Sequence, residues 1–237
     1  MADELTATSA RSRDAAGPNP GILALVSLAL LVASLAASAV MTGGQTFVSP
    51  FSTTDRVVAY YRDNVAAVRL NSLLQFGSAV PLGIYAATVY ARQLRLGVRV
   101  PGPAIGFFGG ISASILLMVS AFITWVLSRP EIAGDASLTH ALSFLSFATG
   151  GVGYVVGIGL LVAGIAVPAL ILGFVPRWLA WVGLAIAALS ELSFLSLVIE
   201  LLQVLLPIGR FGGILWLVAV GFLLPRTRAA ANREAQS

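Results

Sequence analysis

Residues 21–41 read GILALVSLALLVASLAASAVM, a run without a single charge. A helix rises 1.5 Å per residue, so about 20 apolar residues cross a hydrocarbon layer of about 30 Å. This stretch meets that requirement. Further runs meet it at 66–91, 104–127, 140–167, 177–203 and 209–225 of the 237-residue chain. Inside lipid there is no water to satisfy backbone amides, so each run has to close its hydrogen bonds as a helix. The reading is an all-α, polytopic membrane protein whose six transmembrane helices form one domain over 21–226.

Composition points the same way. Hydrophobic residues make up 58% of the chain and charged residues 10%, against a usual charged share of about 25% in soluble domains. The net charge of +4 comes from arginine, with no lysine. These arginines sit in short flanks between apolar runs and not on one soluble face, which argues against nucleic acid and makes the lipid bilayer the expected partner. With no cysteine, disulfides, thiolate ligands and a Cys nucleophile are excluded. Residues 1–20 are polar and carry Pro18 and Pro20; they and 227–237 are expected to be cytoplasmic tails, the first disordered. Arg11, Arg13 and the small residues Ala37-Ser38-Ala39 also outline a secretory signal, but the first apolar run exceeds the about 7–15 residues of a signal core, so an uncleaved helix is expected.

Residues 43–65 form an expected extracytoplasmic interfacial segment. Ser52 to Asp55 has the spacing of a helix start, and DRVVAYYRDN (55–64) is too charged to span, with Tyr60 and Tyr61 suited to the headgroup level. Pro101, Pro103, Pro130, Pro168, Pro176, Pro207 and Pro225 fall near predicted span ends, whereas Pro81 is expected to kink the second span. Arginine placement sets orientation. The side shared by the termini and the 92–103 and 168–177 loops holds Arg11, Arg13, Arg92, Arg95, Arg99, Arg177, Arg226, Arg228 and Arg233. The other side holds Arg56, Arg62, Arg69, Arg129 and Arg210. Both termini are therefore expected in the cytoplasm.

Small residues mark expected helix contacts: Gly106 and Gly110 in the third span, Gly153 and Gly157 in the fourth, and Gly150, Gly157 and Gly164 at seven-residue intervals. The glycine run 150–159 superficially resembles a phosphate-binding loop, but no strand precedes it and it lies within an apolar span.

Polar groups inside hydrocarbon are the default functional candidates. Glu191 lies deep in the fifth span, where an isolated carboxylate has to pair, face water or stay protonated. Ser190, Ser193, Ser196, Glu200 and Gln203 share one helical face, while Glu191 and Glu200, nine residues apart, lie on nearly opposite sides. In the second span Asn71, Gln75 and Ser78 form a polar stripe, with Arg69 near the outer surface. The inferred topology collects Arg69, Asn71, Gln75, Glu191, Glu200, Gln203 and Arg210 in the outer half of the bundle. A polar pocket is expected there, closed by Tyr60, Tyr61 and the 43–64 segment. His140, the only histidine, reads as a helix-start residue and lacks the partners for a haem or two-His metal site. Trp125, Trp178, Trp181 and Trp216 read as interface residues. No serine-nucleophile, zinc-protease or P-loop motif is present, so no catalytic residue, metal or cofactor is expected.

The stretch Val175-Pro176-Arg177-Trp178-Leu179-Ala180-Trp181-Val182-Gly183-Leu184, together with Tyr61-Arg62-Asp63-Asn64, resembles an uncharacterised bacterial family of six-helix membrane proteins known as a domain of unknown function. That resemblance implies a six-helix fold in a bacterial cytoplasmic membrane and brings no activity with it. Two functions stay open. One is binding or transport of a small or lipid-like ligand through the outer pocket. The other is a non-catalytic membrane subunit or scaffold, docking another membrane protein or a second copy of the chain through its glycine faces.

Overall fold

Asn19 starts the first helix: its side-chain oxygen accepts the Gly21 N–H at 2.9 Å, and Pro20 takes the first helical position, where a missing N–H costs nothing. The computed structural model describes residues 17–45 and 47–225. The expected tails, apart from 17–20, and Arg11, Arg13, Arg226, Arg228 and Arg233 lie outside the described residues.

From Asn19 the chain runs through α1 (Pro20–Met41), α2 (Thr54–Asp63), α3 (Val65–Arg95), α4 (Gly102–Leu127), α5 (Pro130–Ala133) and α6 (Ala136–Phe147). A wide π turn, Ala148–Gly153, leads into α7 (Tyr154–Leu172), followed by α8 (Arg177–Leu192). Two 3₁₀ turns come next, Ser193–Leu197 and Glu200–Val204. The chain finishes with α9 (Leu205–Pro207), a second π turn (Ile208–Gly212) and α10 (Gly213–Leu223). Grouped by length and hydropathy, these make six helices able to cross a membrane: Pro20–Met41, Val65–Arg95, Gly102–Leu127, Ala136–Leu172, Arg177–Leu197 and Glu200–Leu223. The chain is a multi-pass membrane protein.

Several boundaries differ from the sequence reading. The fourth span starts at Ala136 and not at 140, because Asp135 caps it by accepting the Leu138 N–H at 3.0 Å. The second span extends to Arg95 and passes unbroken through Pro81. Pro168 lies inside α7 and not at its end. The fifth span does not reach 203. Its serines turn back on their own helix, Ser190 Oγ donating to the Ile186 carbonyl at 2.8 Å and Ser193 Oγ to the Ser190 carbonyl at 2.6 Å. Such back-bonding competes with the regular ladder, the helix tightens, and the turn falls at Val198 and Ile199, the latter in extended backbone. The sixth span therefore begins at Glu200, not 209. The expected cap at Ser52 is displaced to Thr53, whose side chain makes no capping bond.

In lipid, helices gain little from burying apolar surface against one another, so close packing and interhelical hydrogen bonds hold the bundle together. α4 and α7 meet through glycine. A Cβ added at Gly164 would stand 2.5 Å from both the Gly106 Cα and the Gly102 carbonyl oxygen, and one at Gly157 would stand 2.8 Å from the Gly109 oxygen. Gly110 leaves room for Ala86 and Leu161, Gly153 for Leu116, and Gly150 for Ser120. The polar side chains of the spans reach carbonyls on neighbouring helices. Ser27 and Ser78 exchange hydroxyl-to-carbonyl bonds of 2.8 Å between α1 and α3, and Ser114 donates to the Ala79 carbonyl at 2.8 Å. Tyr85 donates to Leu217 at 3.1 Å, Gln93 to Gly164 at 3.1 Å, and Trp216 to Leu179 at 2.8 Å. Trp216 is thus a buried packing residue over Gly183, whereas Trp125, Trp178 and Trp181 are exposed. Each interhelical bond contributes on the order of 0.6 kcal/mol.

Gly164→Ala is expected to destabilise the detergent-solubilised protein by about 1–3 kcal/mol, since backbone and not a flexible side chain stands in the way. Gly77→Ala, whose new methyl would meet only Leu30 Cδ1 at 3.5 Å, is expected to be neutral or to stabilise by up to about 1 kcal/mol. Denaturant titration of the two variants side by side checks the contrast.

Candidate functional site

At the end of the bundle carrying 42–64, α1 stops in a turn where Gly43 and Gly44 adopt φ of 65° and 89°, a region open to glycine at little cost. The chain then crosses back over the helix ends as a strap before α2. Val48, Val57, Tyr60, Tyr61, Val68, Ile123 and Leu127 form a small core of their own beneath and beside the strap. Phe47 meets the edges of Tyr60 and Tyr61 at ring separations of 5.6 and 6.3 Å, and Phe51 does the same with Phe144 and Phe147 at 5.2 and 5.3 Å.

His140 secures this strap. Its Nε2 lies 2.8 Å from the Pro50 carbonyl, which only accepts, so Nε2 carries the proton; its Nδ1 lies 2.8 Å from the Thr54 hydroxyl, which donates to it in the neutral ring. The imidazole also stacks on Phe144 at 5.1 Å. The one histidine therefore joins α6 to both the strap and the first turn of α2, a role that its position at a helix start does not reveal.

Beneath the strap lies a cavity of about 450 Å3. Its walls are Leu31, Ser34 and Leu35 of α1, Asn71 and Gln75 of α3, and Ser120 and Thr124 of α4. Ser143, Ser146 and Phe147 of α6, Gly150 and Gly151 of the first π turn, and Gln203, Leu206, Pro207, Arg210 and Phe211 of the sixth span complete them. Phe47, Val48, Ser49, Pro50 and Tyr61 form its roof. The polar groups are linked. Ser34 donates to the Asn71 side-chain oxygen, Gln75 Nε2 donates to Ser120 Oγ at 3.1 Å, and Ser120 Oγ donates to the Ser146 carbonyl at 3.0 Å. The Thr124 and Ser146 hydroxyls lie 3.1 Å apart. Arg210 donates to the Gly150 carbonyl, and its guanidinium carbon stands 5.1 Å from the Tyr154 ring centre. A second cleft, about 720 Å3, lies on the other side of the strap among Gly44, Gln45, Ser52, Arg56, Tyr60, Asp63 and Asn64. Phe47, Val48 and Ser49 line both spaces.

Of the seven residues expected to share a pocket, the structure brings Asn71, Gln75, Gln203 and Arg210 together. It leaves three out. Arg69 is exposed and donates to Ser128 Oγ at 3.3 Å. Glu200 is exposed at the turn opening the sixth span. Glu191 points at α7, where a Cβ on Gly159 would stand 2.6 Å from its Oε1, and that oxygen is buried with no hydrogen-bond partner among the described residues. Helical phase put Glu191 nearly opposite Glu200, and α7 covers its carboxylate before it can reach the cavity. Ser34, Ser120, Thr124, Ser143 and Ser146 were not anticipated. Their signal lay in the spacing of 120 with 124 and 143 with 146, which sets each pair on one helix face.

Outside the spans, burial pushes the Tyr61 phenol far above its ordinary range, with neighbouring Tyr60 adding to the effect, and burial raises Tyr60 as well. Both rings are therefore neutral at physiological pH. Asp63 is held below the usual carboxylate range by its hydrogen bond to Arg62 at 2.9 Å. That pair is open to solvent, where such contacts add little to stability. Among the described residues no three His, Asp or Glu side chains converge as metal ligands do. No family model, curated protein or solved structure matches this chain, and none supports the resemblance read from 61–64 and 175–184.

His140→Phe keeps the stack on Phe144 and removes both hydrogen bonds. Amide exchange of 48–54 is expected to accelerate at least about tenfold while α3 and α4 keep their protection; unchanged exchange in the strap would show that His140 does not hold it.

Proposed function

We propose that this protein binds, and in a fuller cycle transports, a small or lipid-like ligand in the cavity beneath the strap. One observation supports the reading above the rest. Five of the six spans and the strap line a single, partly open space on which amide, hydroxyl and guanidinium groups converge. A volume of about 450 Å3 falls in the range of small-molecule sites, about 300–1,000 Å3. Polar side chains inside a membrane bundle are costly unless they pair or face a cavity, and these do both.

The membrane is the bacterial cytoplasmic membrane, with the strap end extracytoplasmic and both termini inside, in line with the arginine-rich 92–103 loop at the opposite end. In the scaffold reading, the glycine faces meet a partner. Gly106, Gly110, Gly153, Gly157 and Gly164 are already filled by α3, α4 and α7 of the same chain, so nothing favours that reading over ligand binding.

The test is identification, by mass spectrometry, of small molecules retained after gentle extraction. Gly151 has room for a side chain on the cavity side, its nearest neighbours being Phe147 and Leu206 at 3.5 and 3.9 Å from an added Cβ. Wild type and Glu191→Gln, which changes a residue outside the cavity, are expected to carry the same bound species, and Gly151→Phe to lose it at equal folded yield. A species retained equally by all three would reject the cavity as its site. For orientation, an alkaline phosphatase fused to the C-terminus is expected to be inactive; activity there would reverse the assignment.

A further inference from the structure

The cavity has a chemical polarity that narrows what it holds. Its lining includes one charged side chain, Arg210, and no carboxylate. Among the described residues Arg210 makes one hydrogen bond, to the Gly150 carbonyl, and no ion pair. The guanidinium also stands over the Tyr154 ring, and its remaining N–H groups at the cavity wall make no further hydrogen bond among the described residues. A cation held inside a bilayer without a counter-charge is expensive, and a guanidinium suits the planar, two-pronged geometry of a carboxylate or phosphate.

One side of the lining is apolar, with Leu31 and Leu35 contributed by α1 and Leu206 and Phe211 by the sixth span. These two spans close on each other at the opposite end of the bundle, where the Phe222 ring covers Gly21 and Gly221 abuts the same residue. Toward the strap no comparable packing joins α1 to α9 or to the second π turn, and Leu35 is 41% exposed. The apolar side of the cavity is thus bounded by two spans that separate toward the strap, on a surface that faces hydrocarbon.

We infer that the occupant is a single-chain amphiphile with an anionic head, its carboxylate or phosphate on Arg210 and its chain between α1 and the sixth span. This rests on the cavity reading above and adds a charge and a shape to it. The head is anchored by Arg210 with amide donors from Gln75 and Gln203 in the same lining, while the chain replaces lipid contacts with protein ones and requires no aqueous passage.

The protein is reconstituted in phosphatidylcholine nanodiscs doped with oleate, oleyl phosphate or oleylamine, or bathed in inorganic phosphate, and retained molecules are counted by native mass spectrometry. Wild type is expected to keep one oleate or oleyl phosphate and neither oleylamine nor inorganic phosphate. Arg210→Gln is expected to lower retention of the anionic chains by about tenfold or more, in line with loss of a charge-assisted contact. The wild-type comparison needs no variant to fold. Equal retention of oleate and oleylamine, blocked in both cases by Gly151→Phe, would overturn the anionic head and leave the cavity reading intact. Retention of inorganic phosphate without oleate or oleyl phosphate would overturn the chain and point to a water-soluble anion. Retention of no probe, or retention that Gly151→Phe does not affect, would overturn this inference; the cavity reading itself stands or falls separately, on the co-purified species.

Discussion

Hydrocarbon supplies no hydrogen bonds, and the arrangement of this protein follows from that one deficit. A polar side chain placed in a span has to find its partner within the chain. Here the partners are mostly main-chain carbonyls of the next helix: Tyr85 on Leu217, Gln93 on Gly164, Trp216 on Leu179, Ser27 and Ser78 on each other. Such bonds require helices close enough for a side chain to reach across, and closeness is what the glycines of α4 and α7 provide. Small residues and polar residues thus do one job between them. The glycines bring backbones together, and the hydroxyls and amides join them.

The same requirement explains why the cavity lies where it does. Between α4 and α7 glycine allows contact along the seam and leaves no space. Toward the strap the helices part, the hydroxyls of Ser120, Thr124 and Ser146 bond laterally, and the amides of Asn71 and Gln75 complete the set. A strap pinned by His140 and by a separate aromatic core closes the top. The site is therefore a gap in the packing where Asn71, Gln75, Ser120, Thr124 and Ser146 already hold hydrogen-bond partners, while most of the Arg210 guanidinium does not.

The spans were legible in the sequence because crossing length and hydropathy are properties of single segments. The fifth-to-sixth turn was legible only as one of two alternatives, an end near Ile199 or a continuation to Leu206, since Val198 and Ile199 are as apolar as the helices they separate and Pro207 offers a more obvious break. Glu191 shows a different limit. Its helical phase is fixed by sequence, but which neighbouring helix covers that phase is a matter of tertiary packing, and α7 presents Gly159 there. Asn71, Gln75, Gln203 and Arg210 were gathered by depth alone, because two spans that each carry two polar residues near the same end bring those residues to one level. His140 was misread for the opposite reason. Its partners, Pro50 in the irregular strap and Thr54 at the start of α2, are 90 and 86 positions away, beyond the reach of any local periodicity.

The two π turns, Ala148–Gly153 and Ile208–Gly212, both contribute to the cavity wall and are joined there by the hydrogen bond from Arg210 to the Gly150 carbonyl. A π turn holds one residue more than a regular turn can seat. Removing that surplus from either segment would let the helix resume its normal winding with the helices on both sides kept in phase, because the wide turn absorbs the extra residue locally. Chain length at these two places therefore sets where the Gly150 carbonyl and the Arg210 guanidinium stand, and a one-residue deletion there would displace that pair while leaving hydropathy and span count as they are.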